Sequence, residues 1–423
     1  DRSLLVSAAA GSGKATVLAE RCAYLVCDLP ADQRCRVNEL LVVTFTEAAA
    51  GEMRQRIGKA IRQRIEVRLH RRDAGATSDE YRRDAGATSD EYLRSQLYLL
   101  DSASISTIHA FCKTIVQKWF PQAGVDPQAA VLSGDEAELL RRDALDTMFG
   151  DLYACADELG AGFANLVDQY GAGDDRQIGE VVLAIHDFTN SLPDREKWLE
   201  EAVEQVDPDV PGSFASSIDE RQAARLRDEL ARYIECAEHA ARTIRRTWSQ
   251  AVSRAEAVDV ITAALHTWRE QLARLPEKWE EVAASIAAYE FAKLKPKPRG
   301  LSEADGKAYD AAKDCLDRLK KQIGGSLTNK VCRFTAAEYR DGFVRSAPYV
   351  RTMVDLVREL DRRYGEAKAA QAAVDFSDLQ RYALKLLADE DNHERPSAIA
   401  RQLQQQYRYV LVDEFQDVDP LQA

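Results

Sequence analysis

A lysine near one end of the chain and an acidic pair near the other are the residues whose types and surroundings suggest chemistry. Lys14 follows six small residues typical of a phosphate-binding loop, namely Ala8, Ala9, Ala10, Gly11, Ser12 and Gly13. Backbone amides at such a helix start cradle phosphates, while the lysine reaches the β and γ oxygens. The alternative is a glycine-containing turn between a strand and a helix in an unrelated α/β protein.

The acidic pair Asp413-Glu414 directly follows an apolar segment and opens the string D-E-F-Q-D. In this arrangement Asp413 would hold Mg²⁺ directly or through water, and Glu414 would orient and deprotonate an attacking water. Gln416 could sense the γ-phosphate. Acidic residues after a strand are also common in turns, so the interpretation depends on the whole string.

One residue departs from the phosphate-loop pattern. The hydroxyl side chain expected directly after the lysine, where it would coordinate Mg²⁺, is replaced by Ala15, and Thr16 comes one position late. On a helix one position rotates a side chain by about 100°, so Thr16 should not take over this role. We therefore expect nucleotide binding to survive while magnesium positioning and hydrolysis are weakened.

Strand and helix patterns alternate around both features. Apolar segments at residues 4–7, 40–43 and 409–412 predict strands of a parallel sheet, and residues 14–25 and 47–69 predict helices. The segment 409–412 is continuously apolar, which is typical of a strand buried on both faces. Between residues 134 and 387 long amphipathic helices predominate, and Ser133 with Glu136 predicts a capping box at the first of them. The predicted fold is an α/β sheet interrupted by a large all-α insertion domain.

Composition narrows the function classes. Charged residues are 30% of the chain, and no stretch approaches the roughly 18 apolar residues of a membrane span. The net charge of −13 argues against coating nucleic acid by bulk electrostatics but allows local basic tracks.

Eight cysteines without a C-x-x-C pair predict reduced, buried thiols. A tandem duplication, residues 71–81 repeated as 82–92, predicts an exposed loop.

These motifs together resemble the UvrD/Rep group of superfamily 1A DNA helicases, and within it the AddA (RecB-like) subfamily. Besides the phosphate loop and D-E-F-Q-D, residues 42–54 resemble motif Ia and residues 106–112 resemble motif Ib. A weaker match is residues 374–379, a string that precedes the acidic pair in this group. The matches occur in the family's order and span nearly the whole chain.

The resemblance implies a P-loop NTPase (RecA-like) fold, with domain 1A at residues 1–133 and 388–423 and helical domain 1B at 134–387. It implies ATP and Mg²⁺ as cofactors. Asp413 is the implied metal ligand, and the implied catalytic residues are Lys14, Asp413, Glu414 and Gln416. The implied ATP-binding residues are Ala8, Ala9, Ala10, Gly11, Ser12, Gly13, Lys14, Ala15, Thr16 and Arg21.

The resemblance also implies single-stranded DNA across the carboxyl edge of the sheet. The implied DNA-binding residues are Thr44, Phe45, Thr46, Arg54, Thr107 and His109. Each has a structural alternative, since Phe45 at a strand end could belong to the core and His109 could be a structural histidine. Eight basic residues between positions 54 and 72 could attract the DNA backbone or form a solvated helix face.

The activity implied is a DNA-dependent ATPase and 3′–5′ helicase acting in double-strand-break repair and recombination. A second motor domain is expected after Ala423, so the fragment should be inactive alone. Further expectations are a cytoplasmic location and a second, AddB-like subunit, and the sequence leaves open whether a nuclease domain follows. The alternative is a turnover-deficient DNA-binding or partner-docking subunit, marked by Ala15. A P-loop kinase or GTPase is disfavoured by D-E-F-Q-D and motif Ia.

Overall fold

The computed structural model describes residues 4–6, 13–73, 87–247, 252–274, 279–290, 299–300, 302–389 and 395–422. Its strands are β1 Leu40–Thr44, β2 Ser104–Thr107, β3 Ala130–Val131, β4 Ala373–Val374 and β5 Tyr409–Val412. Its α-helices are α1 Lys14–Cys27, α2 Glu47–Asp73, α3 Ala87–Leu99, α4 Ile108–Lys118, α5 Phe120–Ala123, α6 Gly134–Ala154, α7 Glu158–Tyr170, α8 Arg176–Asn190, α9 Arg195–Gln205, α10 Ile218–Thr247, α11 Val252–Arg274, α12 Trp279–Ala287, α13 Glu303–Gln322, α14 Ala336–Ala370, α15 Phe376–Leu387 and α16 Ala398–Gln406. A π-helical segment, Ile323–Val331, follows α13, and a short 3₁₀ turn, Phe415–Asp417, follows β5.

A small parallel sheet has the strand order β2-β1-β5, and β3 pairs with β4 in a separate two-stranded parallel ribbon. In the larger sheet Val43 lies beside Ser106 on one side and Val412 on the other. The central strand β1 is buried along its whole length. Because all three strands run in the same direction, the segments that follow them meet at one edge of the sheet.

The chain divides into two compact units. Unit 1 comprises residues 1–156, 174–195 and 356–423, and unit 2 comprises residues 157–173 and 196–355. Unit 1 contains both sheets, with a core formed by α1, α2, α3 and the strands of the larger sheet. The described residues of unit 2 form helices and connecting turns, and its core includes Leu226, Leu230, Leu265 and Trp279. The division of the chain at residues 133 and 387 into two family domains stays a prediction.

Several sequence predictions are confirmed. Helices form at 14–27 and 47–73, strands form at 40–44 and 409–412, and helices predominate between residues 134 and 387. The predicted capping box is present, because the Ser133 amide donates to Glu136 Oε2 at 2.8 Å and the Glu136 amide donates to Ser133 Oγ at 3.3 Å. Local hydrogen bonds and apolar periodicity were sufficient to place these elements.

The predicted strand at residues 4–7 is wrong where the structure describes it. Residues 4–6 form no strand and are exposed, and Ser7 lies outside the described residues. A strand requires a partner for its backbone groups, and no described strand pairs with this segment. As a consequence β5 has a described neighbour on one side only, and Val410 is 62% exposed. The prediction that β5 is buried on both faces is therefore also wrong.

The duplicated segment and the cysteines need smaller corrections. The duplication was predicted to be a loop, but residues 71–73 end α2 and residues 87–92 begin α3, while residues 74–86 lie outside the described part of the chain. Cys22, Cys35 and Cys112 are free and buried as predicted, and burial raises the pKa of the Cys22 thiol to about 12. Cys236 is instead disulfide-bonded, and Cys155 is exposed.

Candidate nucleotide and DNA site

The start of helix α1 and the end of strand β5 come together at the carboxyl edge of the sheet. Lys14 Nζ lies 3.4 Å from Glu414 Oε2, although the two residues are 400 positions apart. Gly13 adopts a left-handed conformation with φ of 85°, and its carbonyl accepts hydrogen bonds from the amides of Thr16 and Val17. This backbone turn, which glycine adopts without strain, places Lys14 as the first residue of α1.

Glu414 is held as an ionised carboxylate. Its Oε2 accepts a hydrogen bond from the side-chain amide nitrogen, Nε2, of Gln416, and it also contacts Lys14 Nζ. The Gln416 hydrogen bond, followed by the Lys14 ammonium, keeps the pKa of Glu414 below its usual range. The carboxylate is thus charged at neutral pH, as a group that is to accept a proton must be.

Asp413 directly follows β5 and continues its backbone hydrogen bonding to β1. Its amide donates to the Val43 carbonyl at 2.9 Å, and its Oδ1 accepts a hydrogen bond from the Glu414 amide at 3.1 Å. No cluster of three or more His, Cys, Asp or Glu that could hold a metal occurs among the described residues. A single carboxylate still fits Mg²⁺, because this ion usually takes one or two protein carboxylates together with water and substrate phosphates.

The residue after Lys14 offers no hydroxyl. Ala15 is half-buried and packs against the core of unit 1. Thr16, the next residue, is exposed, and its Oγ1 accepts a hydrogen bond from Arg56 at 3.1 Å. Arg56 in turn forms an ion pair with Glu52 on α2. The hydroxyl of Thr16 is therefore directed to α2, in agreement with the rotation expected from the helix geometry.

The Ala15→Thr variant is expected to raise ATP turnover by about tenfold, because it restores a hydroxyl of the kind that assists magnesium at the triphosphate. The measurement is steady-state ATP hydrolysis by the full-length protein at saturating DNA and Mg²⁺. Thr16→Val serves as the control and should leave turnover within twofold, since its hydroxyl is bonded to Arg56. Equal rates for Ala15→Thr and the unmodified protein would show that Ala15 does not limit turnover.

The remaining predicted nucleotide residues lie partly outside this cluster. Residues 8–12 lie outside the described part of the chain, so their arrangement stays a prediction. Arg21 is on α1, where its guanidinium stacks on the ring of Tyr24 at 5.3 Å. The structure thus brings Lys14, Glu414 and Gln416 into contact and places Asp413 next to them in the chain.

The predicted DNA residues lie where β1 and β2 end, but several of their hydroxyls already have partners. Thr44 Oγ1 donates to the Thr46 carbonyl, and Thr46 Oγ1 accepts from the Ala49 amide. Thr107 Oγ1 donates to Glu47 at 2.8 Å and caps α4. The hydrogen bonds of these threonines stabilise the backbone at the ends of β1 and β2. Phe45 between them is 57% exposed and offers an aromatic face to solvent.

His109 lies in the first turn of α4 and packs against α15. Its Nε2 is 2.8 Å from Gln380 Nε2, and its ring centroid is 4.9 Å from that of Phe376. Burial lowers the pKa of His109, and the charge of Asp419 acts in the opposite direction. Gln380 was missed by the sequence interpretation. The available signal was its position directly after the family-like string at residues 374–379.

Three arginines of the basic run on α2, Arg54, Arg56 and Arg64, are engaged within the protein. Arg54 donates to the carbonyls of Ile105 at 2.9 Å and Ala103 at 3.5 Å, which ties α2 to β2. Arg64 forms ion pairs with Glu20 on α1 and with Asp28, which directly follows α1. These contacts describe a helix whose arginines dock it on unit 1, and the DNA-binding role of Arg54 stays a prediction.

The fold and site define a helix-rich α/β protein with a small parallel sheet and a lysine–carboxylate cluster at its carboxyl edge. The whole chain, residues 1–423, matches the model of the UvrD/REP helicase N-terminal domain. The chain therefore belongs to the UvrD/REP helicase N-terminal domain family.

Relatives of known name agree with this family. The chain is 36% identical to the AddA subunit of the ATP-dependent helicase/nuclease of Moorella thermoacetica, over 99% of this chain and 28% of that protein. It is 32% identical to proteins of the same name from Ruminiclostridium cellulolyticum and Anoxybacillus flavithermus, over 100% and 99% of this chain and 32% of each relative. The chain thus spans about a third of the length of the curated relatives it matches. None of its described helices has the length and apolar character to span a membrane.

Proposed function

We propose that this chain is the ATP-binding motor domain of a DNA-dependent ATPase and 3′–5′ DNA helicase. The observation that carries the proposal is the contact between Lys14 and Glu414 at the carboxyl edge of the parallel sheet. In this proposal the sheet is the core of a RecA-like P-loop domain 1A, and the helices between residues 134 and 387 form its insertion, domain 1B.

In the nucleotide site, Lys14 would exchange its contact with Glu414 for the β- and γ-phosphates of ATP. Gln416 would keep Glu414 oriented toward a water, and Glu414 would accept the proton of that water. Asp413 would hold Mg²⁺, which when bound neutralises charge on the phosphates. Phosphoryl transfer depends on positioning and electrostatics from both walls of a cleft. We therefore also propose that a second motor domain completes the cleft and that this fragment alone is inactive.

The names of the relatives support an assembly of more than one polypeptide. Those proteins are named as one subunit of an ATP-dependent helicase/nuclease. We propose that the full-length protein likewise pairs with an AddB-like partner and acts on double-strand breaks in the cytoplasm, with ATP-driven movement along one DNA strand. The test is ATP hydrolysis by the full-length protein with and without single-stranded DNA, followed by unwinding of duplexes with 3′ or 5′ tails.

Stimulation by DNA and unwinding of the 3′-tailed duplex support the motor. Lys14→Ala is the control that should abolish both. A second candidate function is a DNA-binding or docking subunit without turnover, which the apolar Ala15 favours. DNA binding that is insensitive to ATP, together with hydrolysis no faster than that of Lys14→Ala, would support this second function and contradict the first.

Phe45→Ala is expected to weaken binding of single-stranded DNA by about tenfold, because an exposed aromatic ring that stacks on a base contributes roughly 1–3 kcal/mol. The measurement is fluorescence anisotropy with a labelled oligo(dT). Phe188→Ala is the matched control, since Phe188 is also about half exposed in unit 1 but lies on α8. Equal DNA affinities of the two variants would show that Phe45 does not contribute to DNA binding.

A further inference from the structure

Gln380 makes a contact that restricts the chemistry of His109. Its side chain is buried, with 8% of the residue exposed, and its Nε2 lies 2.8 Å from His109 Nε2 across 271 positions of chain. An amide nitrogen carries two hydrogens and can only donate. With the amide nitrogen of Gln380 facing the ring, His109 Nε2 is the acceptor, which corresponds to a neutral ring that carries its proton on Nδ1.

We propose that Gln380 is a positioning residue that fixes His109 as the neutral Nδ1–H tautomer, so that Nδ1–H donates to a phosphodiester oxygen of the bound DNA strand. The inference rests on the proposed function, because it assigns a role within the same DNA site. It adds a residue of α15 to a site otherwise built from the ends of β1 and β2.

Three observations make His109 a defined donor. The Phe376 ring packs at 4.9 Å and limits rotation of the imidazole. Burial lowers the pKa of His109 against the field of Asp419, which agrees with a neutral ring at neutral pH. Within the described part of the chain no hydrogen bond is made to His109 Nδ1, and the residue is only partly buried.

The position of the histidine favours a phosphate over a base as its partner. His109 is in the first turn of α4, an 11-residue helix with Thr107 as its cap and no acidic side chain in its first turn. The amide groups at a helix start favour an anion. A phosphate contact also predicts a loss of affinity that does not depend on DNA sequence.

The first experiment measures the affinity of the full-length protein for labelled oligo(dT) and for a labelled mixed-sequence strand. Gln380→Leu keeps a similar volume but removes the donor, and it is expected to weaken binding of both strands by about fivefold to tenfold. His109→Ala is expected to cause a similar loss, and the double variant should be no weaker than His109→Ala. Gln222→Leu, which alters a buried glutamine of unit 2, is the matched control and should bind normally.

The second experiment reads the tautomer directly by ¹⁵N NMR of histidine-labelled protein, in which His109→Ala identifies the His109 signals among those of the other histidines. The unmodified protein should show a protonated Nδ1 and an unprotonated Nε2, and Gln380→Leu should show a mixture of tautomers. A merely structural glutamine would alter stability without moving these signals.

Gln380→Glu is a further variant, which should make DNA binding depend on pH. A glutamate accepts from Nε2–H, so Nδ1–H is available only when the ring is protonated. Binding by this variant should weaken as the pH rises from about 6 to 8.5, whereas binding by the unmodified protein should not change through titration of His109.

Two results would overturn the inference: a protonated Nε2 in the unmodified protein, or unchanged DNA affinity in Gln380→Leu. Failure of the unmodified protein to bind DNA would instead contradict the proposed function and, with it, the phosphate contact. In that case the NMR measurement on the unmodified protein and on Gln380→Leu still decides whether Gln380 fixes the tautomer of His109.

Discussion

Replacing Glu414 with glutamine is expected to lower DNA-stimulated ATP hydrolysis by about 100-fold or more, which is the usual contribution of a positioned general base. The glutamine keeps the shape of the side chain but cannot accept the proton of the attacking water. The measurement is single-turnover hydrolysis by the full-length protein, accompanied by ATP affinity from a fluorescent analogue. Affinity should stay within a few-fold, because the phosphates are bound by Lys14 and the loop.

The matched control is Glu20→Gln, which changes an exposed carboxylate on α1 that pairs with Arg64. Its turnover should equal that of the unmodified protein. Hydrolysis by Glu414→Gln at the unmodified rate would remove Glu414 from catalysis and leave the Lys14 contact as a structural ion pair only.

The contacts of Glu414 explain why its chemistry should depend on the nucleotide. In the structure, Gln416 and Lys14 together lower the pKa of its carboxyl. ATP phosphates that draw Lys14 away remove one of these two contacts, so the pKa of Glu414 should rise toward its ordinary value when ATP is bound. The carboxylate becomes a better proton acceptor at the point where a water must be activated.

The second large effect is on stability and concerns a buried cation. Lys368 on α14 is 7% exposed, and its Nζ lies 2.9 Å from Asp375 Oδ2 and 2.6 Å from Asp378 Oδ2. Tyr364 donates a further hydrogen bond to Asp375 at 2.8 Å. Lys368→Met would leave the buried carboxylate of Asp375 and the partly buried carboxylate of Asp378 without their cation, which costs about 3–5 kcal/mol. We expect a marked decrease in the urea concentration at which unit 1 unfolds.

The control for this change is Lys385→Met on α15, an exposed lysine with no ion pair in the described part of the chain. Its unfolding midpoint should be unchanged within error.

The pH dependence of the stability of unit 1 provides an independent check. Lys368 is the main partner that keeps the pKa of Asp375 below its usual range, against the effect of burial. The stabilisation is thus present above the unfolded aspartate pKa of about 3.9 and is lost as the pH falls through the lower folded pKa.

In the Lys368→Met variant this acid dependence should be reduced or reversed, because burial without the cation raises the pKa of Asp375. An unfolding midpoint equal to that of Lys385→Met would show that the ion pairs contribute little. It would also show that the family-like string at residues 374–379 is not held by its charges.

Prediction from sequence succeeded where the determining interactions are local. The positions of α1, β1 and β5, and the capping box at Ser133, follow from apolar periodicity and from hydrogen bonds between residues three or four apart. The types of Lys14, Asp413 and Glu414 and the order of the motifs also indicated the kind of site and the family. Ala15 was identified as a departure in the same way, because the loop pattern fixes which position should carry a hydroxyl.

Only the tertiary structure decided which groups are free to act. The hydroxyls of Thr44, Thr46 and Thr107 are engaged by neighbouring backbone or side chains, and Arg54 on α2 donates to the carbonyls of Ile105 in β2 and of Ala103, just before β2. The sequence had indicated them as candidate contacts for DNA. The partners of Thr107 and Arg54 come from segments distant in the chain, so their assignment required the fold.

The same reason explains the features that the sequence did not indicate. Residues 4–6 have the composition of a strand, but strand formation depends on a neighbouring strand, and none of the described strands pairs with them. Gln380 and His109 are 271 positions apart, and Lys14 and Glu414 are 400 apart. Residue types alone determined that a lysine, a glutamate and a histidine were available for chemistry. Packing of distant helices and strands determined their partners; hydrogen bonding and the Lys14 charge lower the pKa of Glu414, and burial lowers the pKa of His109.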